Sequence, residues 1–365
     1  MSRSIRVFIL GAGCSHKYGY PLGTSLAEQL QEFRASIPKG CDRVHKAVRS
    51  TVDLLADRQA DTLDQLAKSF EDEFHSWRKR EGSFVRTPAD KKREDLADEQ
   101  ILDAKIATAA LFLDREDEAR KTGLQGYKRL ISSLFGGSPW RKGVESSNCH
   151  VLSFNYDRLF EIVFLDRFKD FDPKQLDLYG EYALNSGFGD RRASGSERIE
   201  PAAGRFCFLK LHGSAGWCVK RAEGNPYLEC RRYYPAAPTA PIALQDIEEH
   251  LRKQKQEIYP WEPLIAFPHE KHRFVNENPG NFPQGPYVTK IWEHAASALK
   301  EAKQVRVIGY SFNPIDSRDM VDKLLSQATA CDKIVIQNTD VDGVQAALES
   351  YRGKLKPLEF DPTPF

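Results

Sequence analysis

The residues best suited to chemistry sit in short polar clusters, each directly after an apolar, β-branched run. They are Gly11-Ala12-Gly13-Cys14-Ser15, Asn155-Tyr156-Asp157, His212-Gly213-Ser214, Gly309-Tyr310-Ser311 and Asn338-Thr339-Asp340. The glycine cluster lets the backbone turn tightly and approach a pyrophosphate, whose charge the amides of a following helix would favour. It is not the full G-x-G-x-x-G pattern of dinucleotide dehydrogenases, and a plain strand-to-helix turn also accounts for it. His212 offers acid-base chemistry, since an imidazole titrates at about 6.5, yet a lone histidine is more often structural. Asn155 and Asp157 suit a ligand and equally suit a cap on the helix after them. Convergence gives these clusters more weight than any has alone. Ligands of open α/β sheets bind beyond the carboxyl ends of the strands, and each predicted strand here ends in such residues.

The elements that must position them are legible from pattern. Ile5 to Leu10 reads as a buried parallel strand running into the glycine turn. Ser25 and Glu28 have capping-box spacing ahead of a helix through Leu26, Leu30 and Phe33. Further strands are predicted at Cys149–Phe154, Phe206–Leu211, Leu264–Phe267, Val305–Ile308 and Lys333–Gln337. Helices are predicted through Leu159 and Val163, and at Tyr287–Ala302, Ser317–Gln327 and Asp342–Tyr351. Strands alternating with helices imply a parallel sheet with crossover helices. The expected fold class is therefore α/β, a Rossmann-like parallel sheet with helices on both faces, plus a helical insertion.

The expected core comprises residues 1–34, 146–217 and 262–365. Residues 35–145 read as the helical insertion, with Leu63, Leu66, Phe70, Phe74 and Trp77 as one apolar stripe and a heavily charged stretch from Arg78 to Glu94. Residues 218–261 read as a small insertion with the mixed pattern of a β-hairpin around Tyr227 to Tyr234.

Composition excludes several classes. The chain has 365 residues, 41% of them apolar, and a formal net charge of +1, so no global field favours nucleic acid or a membrane surface. No run approaches the roughly 20 apolar residues of a membrane span, and the start lacks a signal peptide's features, so a cytoplasmic location is expected. The seven cysteines form no Cys-x-x-Cys pair and read as free thiols. No metal is expected.

Taken in order, these clusters resemble the sirtuin superfamily. The resemblance is closest to the bacterial sirtuin-like NAD⁺ hydrolases of anti-phage defence. It rests on Gly11 to Ser15, Pro21-Leu22-Gly23, Ser153 to Asp157, Lys210 to Ser214 with Trp217 beyond, and Val307 to Ser311 with Pro314 and Asp316 after it. It does not extend to the helical insertion or to residues 218–260. The paired-cysteine zinc module of protein-deacylating sirtuins is absent from the sequence, as it is from the defence-type relatives. Cys14 stands where those relatives often have alanine.

The resemblance implies an enzyme that cleaves NAD⁺ to nicotinamide and ADP-ribose. It implies that Asn155 holds the catalytic water or the nicotinamide ribose, that Asp157 bonds the nicotinamide carboxamide, and that His212 acts on the ribose hydroxyls or as general base. Gly11, Ala12, Gly13 and Ser15 would line the pyrophosphate, and Cys14 and Pro21 would also be cofactor-binding. Gly309, Ser311 and Asn338 would hold the adenosine half, and Asp340 would also be cofactor-binding. It further implies a homo-oligomer and a separate sensor or ATPase partner, such as a HerA-type ATPase or a short Argonaute. The helical insertion is the natural candidate for such contacts. Two other readings stay open: an NAD⁺-dependent protein deacylase, and a module that binds NAD⁺ or ADP-ribose without turnover.

Overall fold

The computed structural model describes residues 4–63, 65–70, 72, 88–136, 148–168, 206–220, 230–232, 241–253, 261–267, 285–312 and 318–365. In chain order the strands are β1 (Ile5–Leu10), β2 (Cys149–Ser153), β3 (Cys207–Lys210), β4 (Gly213–Lys220), β5 (Cys230–Arg232), β6 (Trp261–Ile265), β7 (Ala302–Ile308), β8 (Ile334–Gln337) and β9 (Leu358–Asp361). The helices used below are α1 (Gly13–His16), α2 (Leu26–Ser36), α3 (Asp42–Asp57), α4 (Pro88–Lys121), α5 (Gln125–Phe135), α6 (Leu159–Arg167), α7 (Leu244–Lys253), α8 (Gly285–Glu301) and α9 (Val341–Leu348).

The main sheet has six strands in the order β3-β2-β1-β7-β8-β9, and every neighbouring pair is parallel. Counted along the chain by this sheet's own strands, the order is 3-2-1-4-5-6. That is the doubly wound, Rossmann-like arrangement, with its topological switch point between β1 and β7.

Successive strand residues point to opposite faces, and each face builds its own apolar core. Leu10, Val151, Phe208 and Ile308 join one core with α2 to α7. Val7, Ile9, Leu152, Leu209, Val305 and Val307 join the other with α8, the 320–327 segment and α9. Helices therefore cover both faces, as the alternation of elements requires. The helical segment α3 to α5 shares the first core rather than forming a separate one. Its α3 is anchored from a distance, because the amides of Arg43 and Val44 both donate to the Glu248 carboxylate on α7. Such a carboxylate satisfies helix-start amides and complements the helix dipole.

Several local expectations differ from the structure. Ser25 makes no capping bond to α2; its Oγ bonds Leu22 instead and closes a 3₁₀ turn at Gly23–Ser25. The segment Leu264–Phe267 is buried, but its strand β6 pairs antiparallel with β4 in a separate sheet of order β5-β4-β6. This sheet starts at Gly213, directly after His212, so the polar cluster after β3 opens a further strand. The 320–327 stretch is a π-turn followed by a 3₁₀ turn rather than a regular helix. β9 is an element the sequence did not suggest. Phe74, Trp77, Tyr227, Tyr234, Pro314 and Asp316 lie outside the described residues. Among the described residues, no helix is long and apolar enough to cross a membrane.

Candidate active site

Register sets the site. Leu10 is level with Ser153 on one side and Ile308 on the other, and Ser153 is level with Lys210. The ladder runs one residue further: Phe154 N–H donates to Leu10 O, Leu211 N–H to Ser153 O, and Gly11 N–H to Ile308 O. The polar clusters after β1, β2, β3 and β7 therefore begin at one height, around the switch point.

The glycines at that point serve packing. A Cβ on Gly11 or Gly13 would lie 2.6 or 2.8 Å from Gly309 O, and one on Gly309, at φ +63°, would lie 2.6 Å from Cys14 N. The two turns interlock where side chains would collide. Their amides are also committed. Gly13 N–H donates to Gly309 O, Cys14 N–H to Gly11 O, and Ser15 N–H to Ala12 O. Gly11, Gly13 and Cys14 thus lie behind the cleft wall, and the expected cradle of free amides is not formed at these three positions. Cys14 is fully buried and donates from Sγ to Ile308 O; burial pushes its thiol pKa far up, so it stays neutral.

In front of the turns is a cleft, partly open to solvent, with a cavity volume of about 140 Å³. Ala12, Ser15, Pro21, Asn155, Asp157, His212 and Ser311 all reach its wall. Ser15 is the hub. Its Oγ donates to Asp157 Oδ2 at 2.6 Å, accepts from Asn155 Nδ2 at 3.1 Å, and lies 2.7 Å from the Tyr127 hydroxyl. Asp157 Oδ1 also accepts from Leu159 N–H. One carboxylate oxygen thus serves the first amide of α6 and the other serves Ser15. Asn155 Oδ1 is buried with no hydrogen-bond partner among the described residues. Asn155 itself lines the cleft. His212 is 4% exposed and stands edge-on to Phe154, ring centres 4.9 Å apart, with Tyr156 on another side.

The residues expected to hold the adenosine half divide differently. Ser311 reaches the cleft, whereas Gly309, Asn338 and Asp340 do not. Asn338 Nδ2 donates to Tyr310 O, and its Oδ1 accepts from Asp340 N–H. Asp340 caps α9 through Gly343 N–H.

Beneath the cleft lie buried charges. Lys210 Nζ is 3.2 Å from a Glu161 carboxylate oxygen and donates to the Asp157 carbonyl, so it braces the backbone carrying the site. Burial raises the Glu161 carboxyl pKa, with Lys210 opposing that shift. Arg158 Nε pairs with Glu116 of α4 at 3.1 Å, and Arg120 reaches the same carboxylate.

Sequence reasoning missed the walls that come from elsewhere. Tyr20 and Phe112 line the cleft, their rings 5.3 Å apart. Phe112 belongs to α4, and its edge contact with Tyr156 is at 5.6 Å. The Tyr20 hydroxyl is buried with no partner among the described residues; burial and the charges of Asp157 and Glu116 raise its pKa well above normal. Tyr20 did carry a signal, its place directly before Pro21. Phe112 and Tyr127 carried none.

No family model matches this chain, and no curated protein matches it. Among solved structures it is similar to Sir2Tm bound to a propionylated peptide, with 13% identity and a TM-score of 0.34 over 99% of this chain and 89% of that one. A likeness at this level decides neither activity nor substrate, and the fold class rests on the strand order.

Proposed function

We propose that this chain is an NAD⁺ glycohydrolase, cleaving NAD⁺ to nicotinamide and ADP-ribose. One observation carries the reading. Ser15, Asn155, Asp157 and His212 meet in one cleft at the switch point of a 3-2-1-4-5-6 sheet, where sheets of this order take dinucleotides. The apolar walls suit a flat heteroaromatic ring, and the few polar groups suit its orientation.

The roles follow from the atoms available. Asn155 Oδ1, an acceptor, holds a water or a ribose hydroxyl. Asp157 retains lone pairs for a substrate carboxamide beside its two present bonds. Among the described residues lining the cleft, His212 is the group of a type that titrates near neutrality. The committed amides behind the wall leave Ala12, Pro21 and Ser311 to flank the phosphates and ribose. NAD⁺ itself supplies the leaving group, a neutral nicotinamide. The protein's part is orientation and electrostatic complementarity to the charge that develops on the sugar. The motif resemblance supports a biological role in depleting NAD⁺ during anti-phage defence, as an oligomer with a separate sensor or ATPase partner.

The test is to compare His212→Ala with wild type, with and without an acyl-lysine peptide. Nicotinamide release by wild type independent of peptide, and lost in the variant, supports hydrolysis. Release only with peptide would replace it with deacylation. A variant as active as wild type would remove His212 from the mechanism.

A further inference from the structure

We propose that Tyr127, on the helical segment, is a positioning residue of the cleft, acting through Ser15 on Asn155 and Asp157; this rests on the NAD⁺-cleaving reading. Counting protons at Ser15 fixes the order of the bonds. A serine hydroxyl has one hydrogen to donate and two lone pairs to accept. A carboxylate only accepts, so the Ser15 proton goes to Asp157, 2.6 Å away. The two remaining places are then taken by Asn155 Nδ2 at 3.1 Å and by the Tyr127 hydroxyl at 2.7 Å. Tyr127 is therefore a donor, and the bonds run in one direction from Tyr127 to Ser15 to Asp157. With Ser15 filled in this way, Asn155 must present its NH₂ inward. Its Oδ1 is then turned away from Ser15, and it has no hydrogen-bond partner among the described residues.

Reversing any bond breaks the order. If Ser15 instead donated to Tyr127, Asp157 would lose its proton donor. If the Asn155 amide flipped, two acceptors would meet at Ser15. Tyr127 thus closes the arrangement that defines Asn155 as an acceptor toward substrate. Its own geometry is fixed. It is 1% exposed, and its ring lies edge-on to Phe365 at 5.0 Å and beside Tyr18 at 5.8 Å. Tyr18 also accepts from Gly126 N–H at the start of α5. A buried phenol with its hydroxyl pKa raised well above normal stays a neutral donor across the working pH range. The helical segment consequently enters the site's hydrogen-bonding order as well as its apolar wall.

The test is a double-mutant cycle on nicotinamide release from NAD⁺ with Tyr127→Phe, Ser15→Ala and the pair. Tyr127→Phe keeps the ring and removes only the hydroxyl. The expected result is a fall in kcat of about three- to tenfold with KM within about twofold, the scale of one lost hydrogen bond. In the Ser15→Ala background the same change should add less than about twofold. Equal effects in both backgrounds would make Tyr127 a packing residue and overturn the proposal. So would a Tyr127→Phe kcat equal to wild type. Wild type without any release would remove the hydrolase reading and this proposal together, a pattern distinct from failure of Tyr127 alone.

Discussion

The two sides of the crevice are built differently, although the sequence presents them alike. On the β1-β2-β3 side, Ser15, Asn155, Asp157 and His212 are buried at the cleft, and one of their acceptors lacks a partner among the described residues. On the β7-β8 side, Asn338 Nδ2 and Oδ1 and Asp340 Oδ1 bond Tyr310, the Asp340 amide and the start of α9, while Gly309 packs against the glycine turn. Polar residues at strand ends are thus of two kinds. Some are held by a neighbour that leaves an atom over, and some are consumed by local structure.

Breaking the first side should have the largest effect. Asn155→Ala is expected to lower kcat by about 10²–10³-fold, the range for losing one preorganised polar group, with the melting temperature little changed. A loss of fold instead would mean that Asn155 is structural. Gly309→Ala attacks the seam between the sides. With φ at +63° and a Cβ 2.6 Å from Cys14 N, it should destabilise by about 2–3 kcal/mol, read by denaturant titration. An unchanged midpoint would show that the two turns can part.

A pH series separates stability from site chemistry. Burial lowers the His150 pKa to about 4 from an ordinary 6.5. The unfolded chain then binds a proton the folded chain refuses, so stability present above about 6.5 is lost as pH falls toward 4. The maximum contribution is about 3 kcal/mol. His150→Gln should flatten the acid slope of the melting temperature, and an unchanged slope would assign it to other groups. Asn338→Ala should have the smallest effect. It should remove about 1 kcal/mol of stability and change turnover by less than about threefold. A collapse of NAD⁺ binding would restore Asn338 to the ligand and erase the contrast between the sides.

Much of this was legible in the sequence because parallel strands buried on both faces leave continuous apolar runs, and the residues just past the end of each run occupy a fixed place in the fold. β1, β2, β3, β7 and β8 were all marked this way. β9 was not, because Leu358–Asp361 is a short, partly exposed edge segment between Pro357 and Pro362. The sheet beginning at Gly213 was hidden because its first residues, Gly213 and Ser214, are small and polar and lack a strand's apolar run. Gly213 does turn, at φ +76°, with no room for a side chain beside Leu264 O. Phe112 and Tyr127 were illegible for a plainer reason. Along their helices they are ordinary members of an apolar stripe, and only the tertiary approach of α4 and α5 gives one a ring in the cleft and the other a hydroxyl on Ser15.

The most direct test of the central claim is a time course of NAD⁺ with the purified protein, with nicotinamide and ADP-ribose measured by chromatography beside Asn155→Ala. Equimolar release of both products by wild type, and none above background by the variant, is the predicted result. NAD⁺ that binds wild type and remains intact across assembly states and candidate partners would contradict it, and would make the cleft a binding site without turnover.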